Sequence, residues 1–144
     1  MRPSRLALYR DPRLIASIVA PLKLQSRANQ RWNWCKTHRV NKGEKEVTAY
    51  VFRTLPLDVR AELVATIGRA SFTSDRLFVL FTRCGPRALD SDNVQGSAKA
   101  VRDAIAACLG VDDADPRVDW DVAQHNGRGV RYETKVEFYR VVMP

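Results

Sequence analysis

The sequence predicts a single α+β domain: a small mixed β-sheet that ends in a C-terminal antiparallel hairpin and packs against two or three helices. Three observations support this class. The apolar run within residues 76–83 is typical of a buried strand. Over residues 94–109, apolar residues recur at steps of three and four, as on one face of an amphipathic helix. Residues 118–122 and 130–138 alternate between apolar and polar around an Asn-Gly turn, which favours a hairpin.

Shorter signals place the remaining elements. Residues 15–24 are predicted to be extended, with Pro21 placing part of them at a sheet edge. The polar and aromatic residues of segment 26–40 predict a surface loop or the entry to a helix. Helical spacing then predicts one helix over 43–54 and a second that begins at Asp58, a residue suited to cap it.

The length bounds the domain organisation. At 144 residues the chain is long enough for one domain with its own core. We expect residues 1–13 to form a basic N-terminal arm and residues 14–144 to form the folded domain. Three cysteines without a close pair argue against a disulfide framework, and Cys35 with His38 lacks nearby partners for a zinc site. No apolar stretch has the length of a membrane span or a signal peptide, so we expect a cytoplasmic protein without a membrane partner.

Charge is distributed unevenly along the chain, whose formal net charge is +8. Residues 1–83 hold 16 Lys and Arg against 6 Asp and Glu, whereas residues 84–121 hold 4 against 8. A basic surface favours a polyanionic partner, most simply nucleic acid. The chain is therefore predicted to bind nucleic acid while concentrating its carboxylates in one segment.

The acidic segment holds two pairs of aspartates. Asp90 and Asp92 follow the predicted buried strand, and Asp112 and Asp113 follow the next helix. Positions i and i+2 of an extended segment point the same way, so the first pair can converge. Two such charges 4 Å apart repel by about 4 kcal/mol at an effective dielectric of 20, and Mg²⁺ removes that cost and activates water for phosphodiester chemistry. The same residues also suit a helix cap and a turn, so spacing alone leaves both interpretations open.

A longer motif surrounds these aspartates. It comprises Leu-Asp-Ser-Asp-Asn-Val at 89–94, Lys-Ala-Val-Arg-Asp-Ala-Ile at 99–105 and Gly-Val-Asp-Asp at 110–113. Over about residues 87–120 this motif resembles the signature of the RusA-type Holliday-junction resolvases, an Asp-x-Asp-Asn-Leu strand exit, a Lys-x-x-x-Asp helix and a downstream Asp-Asp. One departure is that Lys99 follows Asp92 by seven residues, three more than in the best-known member, which we interpret as an insertion at the helix start.

The resemblance implies a homodimeric, Mg²⁺-dependent endonuclease that nicks branched DNA, with Mn²⁺ as a possible substitute and no small-molecule cofactor. It implies that Asp90, Asp92 and Asp113 bind the metal and that Lys99 is the catalytic lysine. Asp112 is either a fourth ligand or a turn residue. An upstream Ser/Asn/Arg segment at 26–31 also echoes the family.

Several polar and basic residues are candidate DNA contacts in a loop. These are Arg27, Asn29, Arg31, Lys36, Arg39 and Lys42. Trp32 and Trp34 fit equally well as surface residues or as stacking partners for unpaired bases, whereas the alternation around Trp120 favours the core. Two alternatives stay open: a DNA-binding protein that keeps the fold without turnover, and a small interaction module whose acidic loops are only caps and turns.

Overall fold

The computed structural model describes residues 4–25 and 32–144. A 3₁₀ turn (Arg5–Leu8) comes first in this part of the chain. The strands and helices that follow it are β1 (Arg10–Ala20), α1 (Trp34–Arg53), α2 (Leu57–Ala70), β2 (Asp75–Gly85), α3 (Ser91–Ser97), α4 (Lys99–Leu109), β3 (Val118–Asn126) and β4 (Glu133–Val142).

The four strands form one mixed sheet in the order β1-β4-β2-β3. β2 pairs in parallel with β3 and antiparallel with β4, and β1 pairs antiparallel with β4. The predicted α+β class with a mixed sheet is confirmed. The two strands of the predicted hairpin, β3 and β4, are consecutive and run in opposite directions. They do not pair with each other, because β2 lies between them in the sheet. The physical reason is burial, because all but two residues of β2 are buried and such a strand belongs at the centre of a sheet.

The main core lies between the sheet and the helices. Phe81 and Phe138 from the central strands meet Phe52 of α1, Leu63 of α2 and Ile105 of α4. A smaller cluster on the opposite face of the sheet contains Phe78, Leu80 and Val141, and residues of the N-terminal segment pack against it. The helices therefore cover one face, and the chain start covers part of the other.

Residues 5–9 are tied to β3 by contacts of Arg5 and Tyr9. The Arg5 backbone N–H donates to the Asp121 carboxylate at 2.8 Å, and the Arg5 guanidinium lies 2.8 Å from that of Asp119. The Tyr9 hydroxyl also donates to Asp119, and burial together with this bond raises the pKa of Tyr9 to about 12. Because β1 begins at Arg10, the boundary we expected at residue 13 falls inside a strand.

Three helix boundaries differ from the sequence prediction. α1 begins at Trp34, so the segment predicted as a surface loop or the entry to a helix contains its first turns, and the Asn33 side chain caps it by accepting from the Lys36 N–H at 2.8 Å. α2 begins at Leu57, so Asp58 lies in its first turn and is not its cap. The helix predicted over 94–109 is divided at Ala98 into α3 and α4, next to a Gly-Ser pair of the kind that kinks helices.

No helix in residues 4–25 and 32–144 is both long enough and apolar enough to cross a membrane.

Candidate active site and nucleic-acid interface

The loop between β2 and α3 carries Asp90 at its end. The Gln124 amide on β3 clamps the Leu89 backbone, donating to its carbonyl at 2.7 Å and accepting from its N–H at 2.8 Å. Asp90 then takes the N-cap position, where its carbonyl accepts from the Val94 N–H at 2.9 Å. The Asp90 carboxylate makes no capping hydrogen bond and the residue is exposed. The capping interpretation therefore describes the backbone of Asp90 and not its side chain.

A buried arginine holds the start of the same loop. Arg83, only 4% exposed, donates from Nε to the Leu24 carbonyl at 3.0 Å and from Nη1 to the Arg87 carbonyl at 2.8 Å. These bonds tie the loop after β2 to the segment after β1. Neither Arg83 nor Gln124 was predicted from the sequence to position the site. The available signal for Arg83 was a charge inside an apolar strand, where a buried guanidinium must find hydrogen-bond partners.

Asp92 lies in the first turn of α3, exposed to solvent. It lines a cavity of about 390 Å³ between α3 and β3, whose strand side includes Gln124 and Asn126. The clamp at Leu89 thus fixes the backbone just before the helix that carries Asp92. Asp92 is presented on a short helix beside an open cavity.

Asp113 lines a second cavity of about 390 Å³, together with Lys99, Arg102 and Trp120. Arg102 holds the backbone there, since its Nη2 donates to the Asp113 carbonyl at 2.8 Å while its Nε lies 3.9 Å from the carboxylate. Trp120 stacks on Phe81 at 5.8 Å between ring centroids and packs against the core, as its alternation predicted, but it also walls this cavity. The Trp120 indole therefore packs against the hydrophobic core and also lines the cavity that holds Asp113.

Lys99 is the first residue of α4, and its side chain is 71% exposed. Its Nζ lies 3.2 Å from the Asp103 carboxylate, which also faces Lys45 at 3.8 Å. The ordinary i,i+4 ion pair is therefore present. Lys99 shares a cavity with Asp113, so the chain places this lysine beside one of the three proposed carboxylates.

The donor type of the predicted metal site suits Mg²⁺, since carboxylate oxygens are its preferred protein ligands. The arrangement of the three carboxylates does not suit Mg²⁺. Among the residues that the structure describes, which include Asp90, Asp92 and Asp113, no three Asp, Glu, His or Cys side chains form a group able to hold a metal ion. The Asp112 carboxylate accepts from the Ala114 N–H at 2.8 Å, as a turn residue does. The residues therefore do not fit a preformed cation site.

The candidate DNA contacts fall into two groups. Lys36, Arg39 and Lys42 are exposed on α1, a helix and not the expected loop. The Lys36 ammonium sits 4.7 Å above the Trp32 ring, and Lys42 faces Glu46 at 4.0 Å. Arg27, Asn29 and Arg31 lie outside the described residues.

Comparison with known proteins adds no assignment, because no protein-family model and no curated protein matches this chain.

Proposed function

We propose that this protein binds branched DNA and cleaves it as a Mg²⁺-dependent endonuclease through Asp90, Asp92, Asp113 and Lys99. The observation that carries the proposal is the adjacency of two cavities. The Asp92 cavity and the cavity of Asp113 and Lys99 share Gln95 and Val122 as lining residues. A single phosphodiester lying across that shared wall would meet carboxylates from both sides and a lysine ammonium.

The chemistry of the chain's own residues supports this use. Lys99, exposed at the cavity rim, is able to offset negative charge on a phosphate. The net charge of +8 attracts the polyanion, and the α1 cations Lys36, Arg39 and Lys42 are the described candidates for backbone contacts. Mg²⁺, when bound by carboxylates, supplies the activation of water.

The resemblance to the RusA-type resolvases adds three elements to the proposal. One is a homodimer, because symmetric nicking of a four-way junction needs two active sites related by a two-fold axis. Another is tolerance of Mn²⁺ in place of Mg²⁺. The third is a DNA substrate inside the cell, and we place the protein in the cytoplasm because no apolar stretch of its sequence has the length of a signal peptide or a membrane span.

A second candidate function is DNA binding without turnover. The specific observation in its favour is that Asp90, Asp92 and Asp113, all within the described part of the chain, are not gathered with one another around a common point. Cleavage would require DNA or the cation to draw these carboxylates together, at the repulsive cost of several kcal/mol.

A junction-cleavage assay separates the two candidates. A labelled synthetic four-way junction and a linear duplex of equal length are incubated with the protein, each with and without Mg²⁺. Endonuclease activity predicts nicked junction only with the metal and little cut duplex. If the protein binds the junction but does not nick it at any Mg²⁺ or Mn²⁺ concentration, DNA binding without turnover is supported. If the protein does not bind DNA, both candidate functions are refuted.

A further inference from the structure

The cavities of the candidate site continue toward α1. The cavity of Asp113 and Lys99 shares two lining residues, Gly96 and Lys99, with a third cavity of about 170 Å³. That third cavity is bounded on the α1 side by Asn41 and Lys45. The three cavities thus adjoin one another in a row from the Asp92 cavity past Gly96 to α1, and we name this row the Gly96 groove.

Positive charge is in excess where the groove reaches α1. The carboxylate of Asp103 lies between two ammonium groups, at 3.2 Å from Lys99 and 3.8 Å from Lys45. One carboxylate balances only one of them, so the other charge is left for a ligand. This end of the groove is suited to an anion.

An exposed aromatic pair continues the line of the groove along α1. Trp34, His38, Asn41 and Lys45 follow one another at steps of four, three and four, so they lie on one helix face about 16 Å long. Trp34 is 76% exposed, and its ring stacks on that of His38 at 5.2 Å with an interplanar angle of 11°. The Trp34 indole is held in place by the His38 ring and is largely exposed to solvent, so it is suited to stack with a nucleobase.

We propose that the Gly96 groove binds one unpaired nucleic-acid strand, with phosphates along Lys45 and Lys99 and a base stacked on Trp34. The inference rests on the proposed function and goes further, because it identifies which part of a branched substrate the protein holds. A base within a duplex has both faces covered by its neighbours, whereas an unpaired base has a face free for Trp34. The groove therefore selects a strand at a branch point over an intact duplex.

Blocking the groove without changing its charge is the first test. A Cβ at Gly96 meets no atom within 4 Å, so Gly96→Leu fills the groove and leaves α3 unhindered. Gly68 on α2 is equally open and lies away from the groove, so Gly68→Leu is the matched control. Affinity for a fluorescein-labelled single-stranded oligonucleotide is measured by anisotropy in EDTA, where no cleavage occurs. We expect Gly96→Leu to weaken binding about tenfold or more and Gly68→Leu to stay within about twofold.

The stacking partner is tested in the same assay. Trp34→Ala is compared with Phe72→Ala, which removes an exposed aromatic side chain that lines none of the three cavities of the groove. Loss of one stacked base predicts a single-strand affinity about fivefold or more lower for Trp34→Ala, with duplex affinity unchanged and no effect of Phe72→Ala. Equal losses on single strand and duplex, or parental affinity of Gly96→Leu, would overturn the groove while leaving the endonuclease proposal standing. A parent that binds no DNA at all would refute the proposed function itself, and the groove with it.

Discussion

Asp92 and Asp112 belong to the same acidic segment but have different surroundings. Asp112 uses its carboxylate to accept the Ala114 N–H at 2.8 Å, which asparagine also does. Asp92 is exposed and lines the cavity between α3 and β3. The same substitution at the two positions therefore separates a ligand role from a turn role.

Asp92→Asn is expected to abolish Mg²⁺-dependent nicking of a four-way junction and to leave junction affinity equal or higher. The substitution removes an ionic oxygen ligand and one charge that repels phosphates, while the side-chain size is kept. Asp112→Asn is the control and is expected to cleave at the parental rate. Parental cleavage by Asp92→Asn would remove this residue from the proposed site.

Lys99→Ala is expected to lower single-turnover cleavage of a saturating junction by about 10²-fold or more, because the ammonium no longer offsets charge in the transition state. Losing the exposed Lys99–Asp103 ion pair alone affects stability by only about 0.3–0.5 kcal/mol. Lys135→Ala, which breaks the Lys135–Glu137 pair on β4, is the control for a lost surface ion pair. If Lys99→Ala cleaves within about threefold of the parental rate, Lys99 has no role in catalysis and only forms its ion pair with Asp103.

At the scale of elements, the loop between β2 and α3 depends on a single side chain of β3. Gln124→Met is expected to release the Leu89 backbone and to lower the free energy of unfolding by about 1–3 kcal/mol, since two hydrogen bonds are lost. Hydrogen exchange at the Leu89 amide should accelerate, whereas Gln95→Met, on the exposed side of α3, should leave it unchanged. Unaltered exchange at Leu89 would show that other contacts hold the loop.

The N-terminal 3₁₀ turn and β3 are joined through Tyr9, which makes their contact sensitive to alkaline pH. Burial and the bond to Asp119 raise the pKa of Tyr9 to about 12, against about 10 in an unfolded chain. The neutral phenol is thus favoured in the folded state, so its stabilisation is complete below about pH 10 and is lost as the pH rises towards 12. Urea unfolding at pH 8, 10 and 11 should show a shallower alkaline loss of stability for Tyr9→Phe than for the parent. Parallel losses in the two proteins would contradict this role.

Local patterns predicted faces and element types, and tertiary contacts decided the rest. The apolar run of β2 predicted a buried strand because a strand that is buried on both faces has apolar residues at consecutive positions. Alternation in β3 and β4 indicates which residues face the core but carries no information on the neighbouring strand, so the insertion of β2 between them was not predictable. The start of α1 was missed because Asn33 is as common in loops as at helix caps.

The candidate site was predictable only in part, for a related reason. The sequence indicated Asp92, Asp113 and Lys99 by a motif, and they line adjoining cavities. The hydrogen bonds that hold the loop before Asp92 join residues 35 apart for Gln124 and Leu89 and 59 apart for Arg83 and Leu24. Such long-range pairs leave no periodicity in one sequence. Asp90, Asp92 and Asp113 lie in two separate segments, and their mutual distance depends on the kink at Ala98.

At the scale of the whole molecule, charge asymmetry should govern DNA binding. With a net charge of +8, junction affinity in EDTA is expected to fall steeply with salt, by a slope of about −0.9 on logarithmic axes for each phosphate contacted. Arg39→Ala, on the exposed part of α1, should reduce the magnitude of that slope by about 0.9, since one contact is lost. An affinity that is flat from low to moderate salt would argue against an electrostatic interface.

The place of β4 between β1 and β2 has a consequence for how the chain matures on the ribosome. Within residues 4–25 and 32–144, β1 pairs only with β4, from Arg10 opposite Val142 to Ala20 opposite Thr134, so each partner lies more than a hundred residues downstream. β1 is therefore synthesised long before β4, and the pairing between them cannot form until residues 133–142 have left the ribosome. Such distant pairing slows closure and leaves apolar side chains of β1, among them Ile18, uncovered in the meantime. A premature stop shortly before residue 133 would release a chain whose opening strand has no partner, and quality-control proteases would be expected to degrade it.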